Sequence, residues 1–176
     1  STNSIGANIT TAGGAIRFYR ALELTGNVSL DTGSGAGITF DNTIDLQEHY
    51  LSIAAPSNSI SFVGNINGNT DFSHIRILAA GSLGSSSEIK ISNADLYIDA
   101  NGSTISLGSN LSARNIYFYR GVLDLAGKEI TIDKDFVVFG NAYNPDDPEW
   151  TGADTRFAYF STPDLKYYPA DSTYTD

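Results

Sequence analysis

The sequence predicts an all-β protein: a right-handed parallel β-helix of about five turns with three short strands per turn, followed by an irregular C-terminal segment. Three observations carry this expectation. Ile16, Ile38 and Ile60 recur at one constant interval, in "AIRF", "GITF" and "SISF". Each opens an apolar–polar–apolar triplet, the period-two pattern of a strand with one buried face. The phrase "IRFYRALELTG" (16–26) also returns as "IYFYRGVLDLAG" (116–127), with seven of eleven positions identical once one inserted residue is allowed. A unit this small cannot bury its own apolar face, so it must stack on its neighbours. At about 4.8 Å per turn, five stacked turns span roughly 24 Å.

Further triplets fill each repeat. The first contains Leu22–Glu23–Leu24 and Val28–Ser29–Leu30, the second Ile44–Asp45–Leu46 and Leu51–Ser52–Ile53. The third is ragged, with Ile66 and then Ile75–Arg76–Ile77 after an inserted "GNTDFSH". Continuing the anchors through "EIKI" (Ile89) and "NIYF" (Ile116) takes longer steps than the first two. The fourth repeat then holds Leu96–Tyr97–Ile98 and Ile105–Ser106–Leu107, and the fifth Leu123–Asp124–Leu125 and Ile130–Thr131–Ile132. On this count Phe18, Phe40, Phe62 and Phe118 form one internal ladder, with Ile91 standing in at the fourth turn. The two copies of the repeated phrase fall at the same corner of distant turns, where Arg20 and Arg120 cover a tyrosine ring or pair with a carboxylate. A β-sandwich also has many short strands, but its connections give no constant spacing. A leucine-rich repeat has a similar period, but its L-x-x-L-x-L pattern is missing.

Composition agrees with short strands and tight turns. Charged residues are only 17% of the chain, and the polar remainder is rich in Ser, Thr, Asn and Gly, which suits turns and disfavours long helices. A net charge of −10 with no basic stripe argues against a nucleic-acid partner. With no cysteine, disulfides and thiolate metal sites are excluded. No apolar run approaches the roughly 18 residues of a membrane span, so no membrane insertion is expected. "STNSIGANITTAGG" lacks the basic start and apolar centre of a signal peptide, and the absence of an initial methionine suggests a segment of a longer precursor.

The rhythm stops near residue 140, dividing the chain into β-helix repeats (1–140) and an aromatic- and proline-rich segment (141–176). That segment holds prolines 145, 148, 163 and 169, together with Trp150, Tyr167 and Tyr168. It is expected either to cap the last open turn or to link to another domain.

The run "GAIRFYRALELTGNVSLDTGSGAGITFDNTIDLQEHYLSIAA" (14–55) resembles the repeats of filamentous-haemagglutinin-type bacterial surface proteins, and the pattern extends more weakly to about residue 140. The secretion-domain motifs of that family, of the "NPNG" or "NPNL" type, are absent. The resemblance implies a secreted or surface-displayed segment of a larger protein, working as a stalk or adhesive surface. Its partners would be a host or matrix protein or a glycan, besides neighbouring repeats of the same polypeptide.

One set of residues invites chemistry. The outward centre of the second strand reads Glu23, Asp45, Asn67, Tyr97 and Asp124 along the stack. Carboxylates on adjacent turns stand about 5 Å apart, near the roughly 5–5.5 Å of a retaining glycosidase pair, and such a pair could also hold calcium. The favoured reading is a solvated acidic face. The motifs of β-helical pectin hydrolases are missing, since His49 and His74 precede Tyr and Ile and Asp146–Asp147 lies outside the repeats. No catalytic residue, metal site or cofactor is expected. Glu23, Asp45, Trp150, Tyr167 and Tyr168 remain as binding candidates, and the alternative function is a carbohydrate-active β-helix using the outward carboxylates.

Overall fold

The computed structural model describes residues 1–100, 103–119 and 121–138. Trp150, Tyr167, Tyr168, Arg120 and the expected cap all lie outside the described residues. The described residues contain 18 strands and no helix, and every strand pairing is parallel.

The strands are β1 (Asn3–Ile5), β2 (Ile9–Thr10), β3 (Ile16–Phe18), β4 (Leu22–Leu24), β5 (Val28–Asp31), β6 (Ile38–Phe40), β7 (Ile44–Asp45), β8 (Tyr50–Phe62) and β9 (Ile66–Asn67). They continue with β10 (His74–Gly84), β11 (Glu88–Ser92), β12 (Asp95–Ile98), β13 (Thr104–Leu107), β14 (Asn110–Ala113), β15 (Asn115–Phe118), β16 (Val122–Asp124), β17 (Ile130–Ile132) and β18 (Phe136–Val138). The chain winds as a β-solenoid of about six turns, with roughly three strands per turn. A count that begins at Ile16 opens on β3 and misses β1 and β2 before it.

Three faces result. The first is the sheet β1-β4-β7-β9-β11-β14-β17. The second stacks β2, β5, the start of β8, the start of β10, β12, β15 and β18. The third stacks β3, β6, the end of β8, the end of β10, β13 and β16. β8 and β10 run unbroken round the corner between the second and third faces, which joins these into one sheet. β8 tolerates Pro56 there because the ladder is interrupted: β10 pairs with it up to Ala55 and resumes at Ser59. A proline within a sheet belongs where no ladder donor is needed.

The core lies between the faces. On the second face one inward column runs Val28–Leu51–Ile75–Leu96–Ile116–Phe136, each residue in register with the next. The first five are buried, and each fully buried aliphatic side chain contributes about 1.5–3 kcal/mol relative to exposure. On the third face Ile16, Ile38 and Ile60 stack as predicted. Beside them Phe18, Phe40 and Phe62 stack ring on ring, at 5.4 and 5.3 Å.

The later anchors stand on other faces than expected. The register partner of Ile60 is Leu83, and Leu83 pairs with Leu107. Ile89 and Ile91 belong to β11 on the first face, where Ile91 partners Ile66. Ile116 and Phe118 belong to β15 on the second face, where Phe118 pairs with Ile98 and Val138. Phe118 is buried but is no part of the phenylalanine ladder, which ends at Phe62 because β10 stops at Gly84, opposite Ser61. The two copies of the repeated phrase therefore start on different faces. What they share is two consecutive strands, not a place in the tube. The triplets are real strands; their grouping into turns slips once turn length departs from the interval of the first three anchors.

Corners are tight. Gly13 has φ 93° and lies against Gly35 of the next turn, where a Cβ on Gly35 would overlap the Gly13 carbonyl and Cα. Such close backbone approach admits only glycine.

Candidate functional site

The acidic column forms on the first face. Glu23 and Asp45 are register partners in β4 and β7, and Asp45 partners Asn67 in β9. The column extends to Ser4 on one side and Ser92 on the other. Tyr97 and Asp124, also expected in it, stand elsewhere: Tyr97 is on the second face beside Arg76 and Tyr117, and Asp124 is on the third beside Ser106. Turn length changes after Ile60, and that moves both residues off the first face.

Asp45 is already engaged. Its Oδ1 accepts the Gln47 backbone N–H at 3.0 Å, and its Oδ2 accepts Gln47 Nε2 at 2.9 Å. Gln47 has φ 51°, a left-handed turn that an Asp two residues earlier stabilises by this kind of hydrogen bond. Gln47 Oε1 in turn accepts Asn69 Nδ2 at 2.8 Å, linking successive turns. Beside this network lies a shallow, open depression of about 300 Å³, lined by Glu23, Leu24, Gln47, Glu48, His49, Asn69 and Thr70. Among the described residues no three His, Cys, Asp or Glu side chains gather closely enough to hold a metal ion.

The structure adds a second surface that the sequence did not announce: an outward aromatic strip on the second face. Tyr50 and His74 stack at 5.2 Å, His74 meets Tyr97 edge-on at 5.0 Å, and Tyr97 stacks on Tyr117 at 4.6 Å. Tyr119 lies 6.2 Å from Tyr97. The signal is faint because the steps between the four positions shorten along the chain, and only the register brings them together. Tyr50 and His74 cover one another's faces, as do Tyr97 and Tyr117, and the edge-on contact of His74 with Tyr97 joins the two pairs into one strip.

Local chemistry follows from this packing. His74 is half-buried, and burial holds its pKa below the ordinary value, with Arg76 acting in the same direction. Its Nδ1 donates to the Phe72 carbonyl at 2.9 Å, which partly opposes that effect, as does Asp95. Burial raises the phenol pKa of Tyr97 and of Tyr117.

An ion-pair cluster fastens the edge of this face. Arg114 Nε donates to Asp95 Oδ1 at 2.8 Å and Arg114 Nη1 to Asp71 Oδ1 at 2.6 Å. Asp95 Oδ1 also accepts Asn115 Nδ2 at 2.8 Å, and Asn115 Oδ1 accepts the Asp135 N–H at 3.0 Å. Asp71 belongs to the inserted loop, which Ser73 anchors by donating its hydroxyl to the Gln47 carbonyl. The loop holds Phe72 out in solvent, 80% exposed.

On the third face Arg17, not Arg20, covers a tyrosine. Its guanidinium sits 4.8 Å from the Tyr19 ring centre and pairs with Asp41 through two hydrogen bonds of 2.7 and 3.0 Å. Arg20 is exposed.

The fold and its surfaces define a parallel β-solenoid with an acidic, turn-linked first face and an aromatic second face. Comparison of the chain with protein-family models, curated proteins and solved structures finds no match. No helix among the described residues is long and apolar enough to cross a membrane.

Proposed function

We propose that this solenoid is a non-catalytic stalk or adhesive segment of a larger secreted or surface-displayed bacterial protein, as the likeness of residues 14–55 to filamentous-haemagglutinin-type repeats implies. The single observation behind this reading is the unbroken inward column from Val28 to Phe136. A continuous aliphatic core makes each turn depend on its neighbours, which suits an elongated segment built by stacking turn on turn. Its outward positions form a surface for a host or matrix protein or a glycan.

The enzymatic alternative rests on Glu23 and Asp45. They are neighbours, but both Asp45 oxygens are occupied by Gln47, and the adjoining depression is shallow and open. A retaining carboxylate pair needs a free nucleophile and a cleft that holds the sugar. The test is a reducing-end assay on polyuronides and neutral polysaccharides, together with binding to immobilised matrix proteins and glycans. The stalk reading expects no cleavage and binding in the glycan or matrix arm. Cleavage that disappears in Glu23→Gln would replace it with the enzymatic one.

A further inference from the structure

We infer that Tyr97 and Tyr117 form an oxidative cross-linking site, at which a haem-peroxidase-class oxidant joins two neighbouring turns through a carbon–carbon bond between phenol rings. The two residues are register partners in the parallel strands β12 and β15, so their side chains leave the same face in the same direction. Their ring centres are 4.6 Å apart and their planes 16° from parallel. Two phenols so stacked bring their ortho carbons close together, and holding reactants side by side replaces a bimolecular encounter with an intramolecular one. Both rings are partly exposed and reachable by an oxidant.

Composition favours the same outcome. The chain has no cysteine and no methionine, the side chains that usually intercept oxidants first. Oxidation therefore falls largely on aromatic groups. Exposure alone would select Tyr19, which is 71% exposed, but the Tyr19 ring faces the Arg17 guanidinium. Tyr97 instead has Tyr117 against its ring and Tyr119 as a second, more distant partner at 6.2 Å.

The chemistry balances as follows. The oxidant takes one electron from each phenol, and each hydroxyl loses its proton, giving two tyrosyl radicals. The radicals couple between ring carbons ortho to oxygen. The hydrogen on each coupled carbon then moves to the neighbouring oxygen, restoring both aromatic rings. The pair loses two hydrogens in all, and one hydrogen peroxide is reduced to two waters. The product pins β15 to β12, so that the turn bearing Tyr117 cannot peel away from its neighbour.

The experiment treats the full chain, dilute enough to disfavour contact between molecules, with hydrogen peroxide and a haem peroxidase. Peptide mass mapping and dityrosine fluorescence are then read together. The expected product is intramolecular, two hydrogens lighter, and joins the peptides containing Tyr97 and Tyr117. Tyr97→Phe abolishes it, Tyr117→Phe leaves only a smaller Tyr97–Tyr119 product, and Tyr19→Phe changes nothing. These replacements keep the ring, and an unchanged melting temperature shows that each variant is folded. Absence of any cross-link, cross-links mainly between molecules, or cross-links running mainly through Tyr19 or through tyrosines beyond residue 138 would overturn the assignment.

Discussion

Phe40 lies ring to ring on Phe62, with centres 5.3 Å apart and planes 5° from parallel, and Phe18 continues the stack on its other side. The middle ring is buried on both faces and so carries two stacking contacts, each contributing about 0.5–1.5 kcal/mol beyond burial. Phe40→Ala should destabilise the protein by about 3–5 kcal/mol through the cavity it leaves. Phe18→Ala, at the partly exposed end of the stack, should cost less. Urea denaturation of the two variants checks both the size and the order.

Arg114 separates a buried ion pair from an exposed one. Its partner Asp95 is 10% exposed, and its other partner Asp71 is 89% exposed. Arg114→Ala leaves the Asp95 charge without its guanidinium and should cost about 3–5 kcal/mol. Asp71→Ala should cost no more than about 1 kcal/mol, because a pair open to water is screened. Equal losses in the two variants would contradict this division.

His74 predicts a pH dependence. Burial lowers its folded-state pKa, so the unfolded chain binds the proton more readily, and stability rises with pH wherever it does. The His74 contribution is complete above the unfolded value of about 6.5 and declines as pH falls below it toward the folded value. His74→Phe keeps a ring between Tyr50 and Tyr97 but removes the titration. Chemical denaturation at neutral and mildly acidic pH should show a smaller stability difference in the variant than in the parent, the carboxylates contributing equally to both.

Gly35 tests the corner geometry. A methyl group there meets the Gly13 backbone, which cannot rotate away as a side chain would. Gly35→Ala should cost about 1–3 kcal/mol, as overpacking does. Gly127 has φ 75° but nothing within 4 Å, so Gly127→Ala carries only the left-handed penalty of about 1–2 kcal/mol. Thermal melts of the pair separate crowding from backbone strain.

The strands and their parallel stacking were legible because triplets such as Ile38–Thr39–Phe40 and Leu51–Ser52–Ile53 carry an unmistakable period of two. The neighbour relation of Glu23, Asp45 and Asn67 was legible for the same reason: they lie within the turns that keep a constant length. Phase was lost after Ile60. The inserted loop before His74 and the bulges of β10 between Ile77 and Ala79 and between Ala80 and Ser82 change turn length without changing the strand pattern. A count by triplets then passes from Ile60 to Ile89, over Leu83, and exchanges one face for another. The strip Tyr50–His74–Tyr97–Tyr117 depends on register across those irregular turns. Nothing in the local sequence of each tyrosine announces it.

Paired cysteines probe the register of the parallel turns, in a chain that has no cysteine of its own. Register neighbours in parallel strands stand about 5 Å apart, within the roughly 4.4–6.8 Å that a disulfide spans. Ser52→Cys with Arg76→Cys, and Ser106→Cys with Asp124→Cys, should each oxidise to an intramolecular disulfide, because each pair is in register. Tyr97→Cys with Asp124→Cys should not, because those residues lie on different faces. Bridging of that last pair, with the first two left as free thiols, would contradict the account.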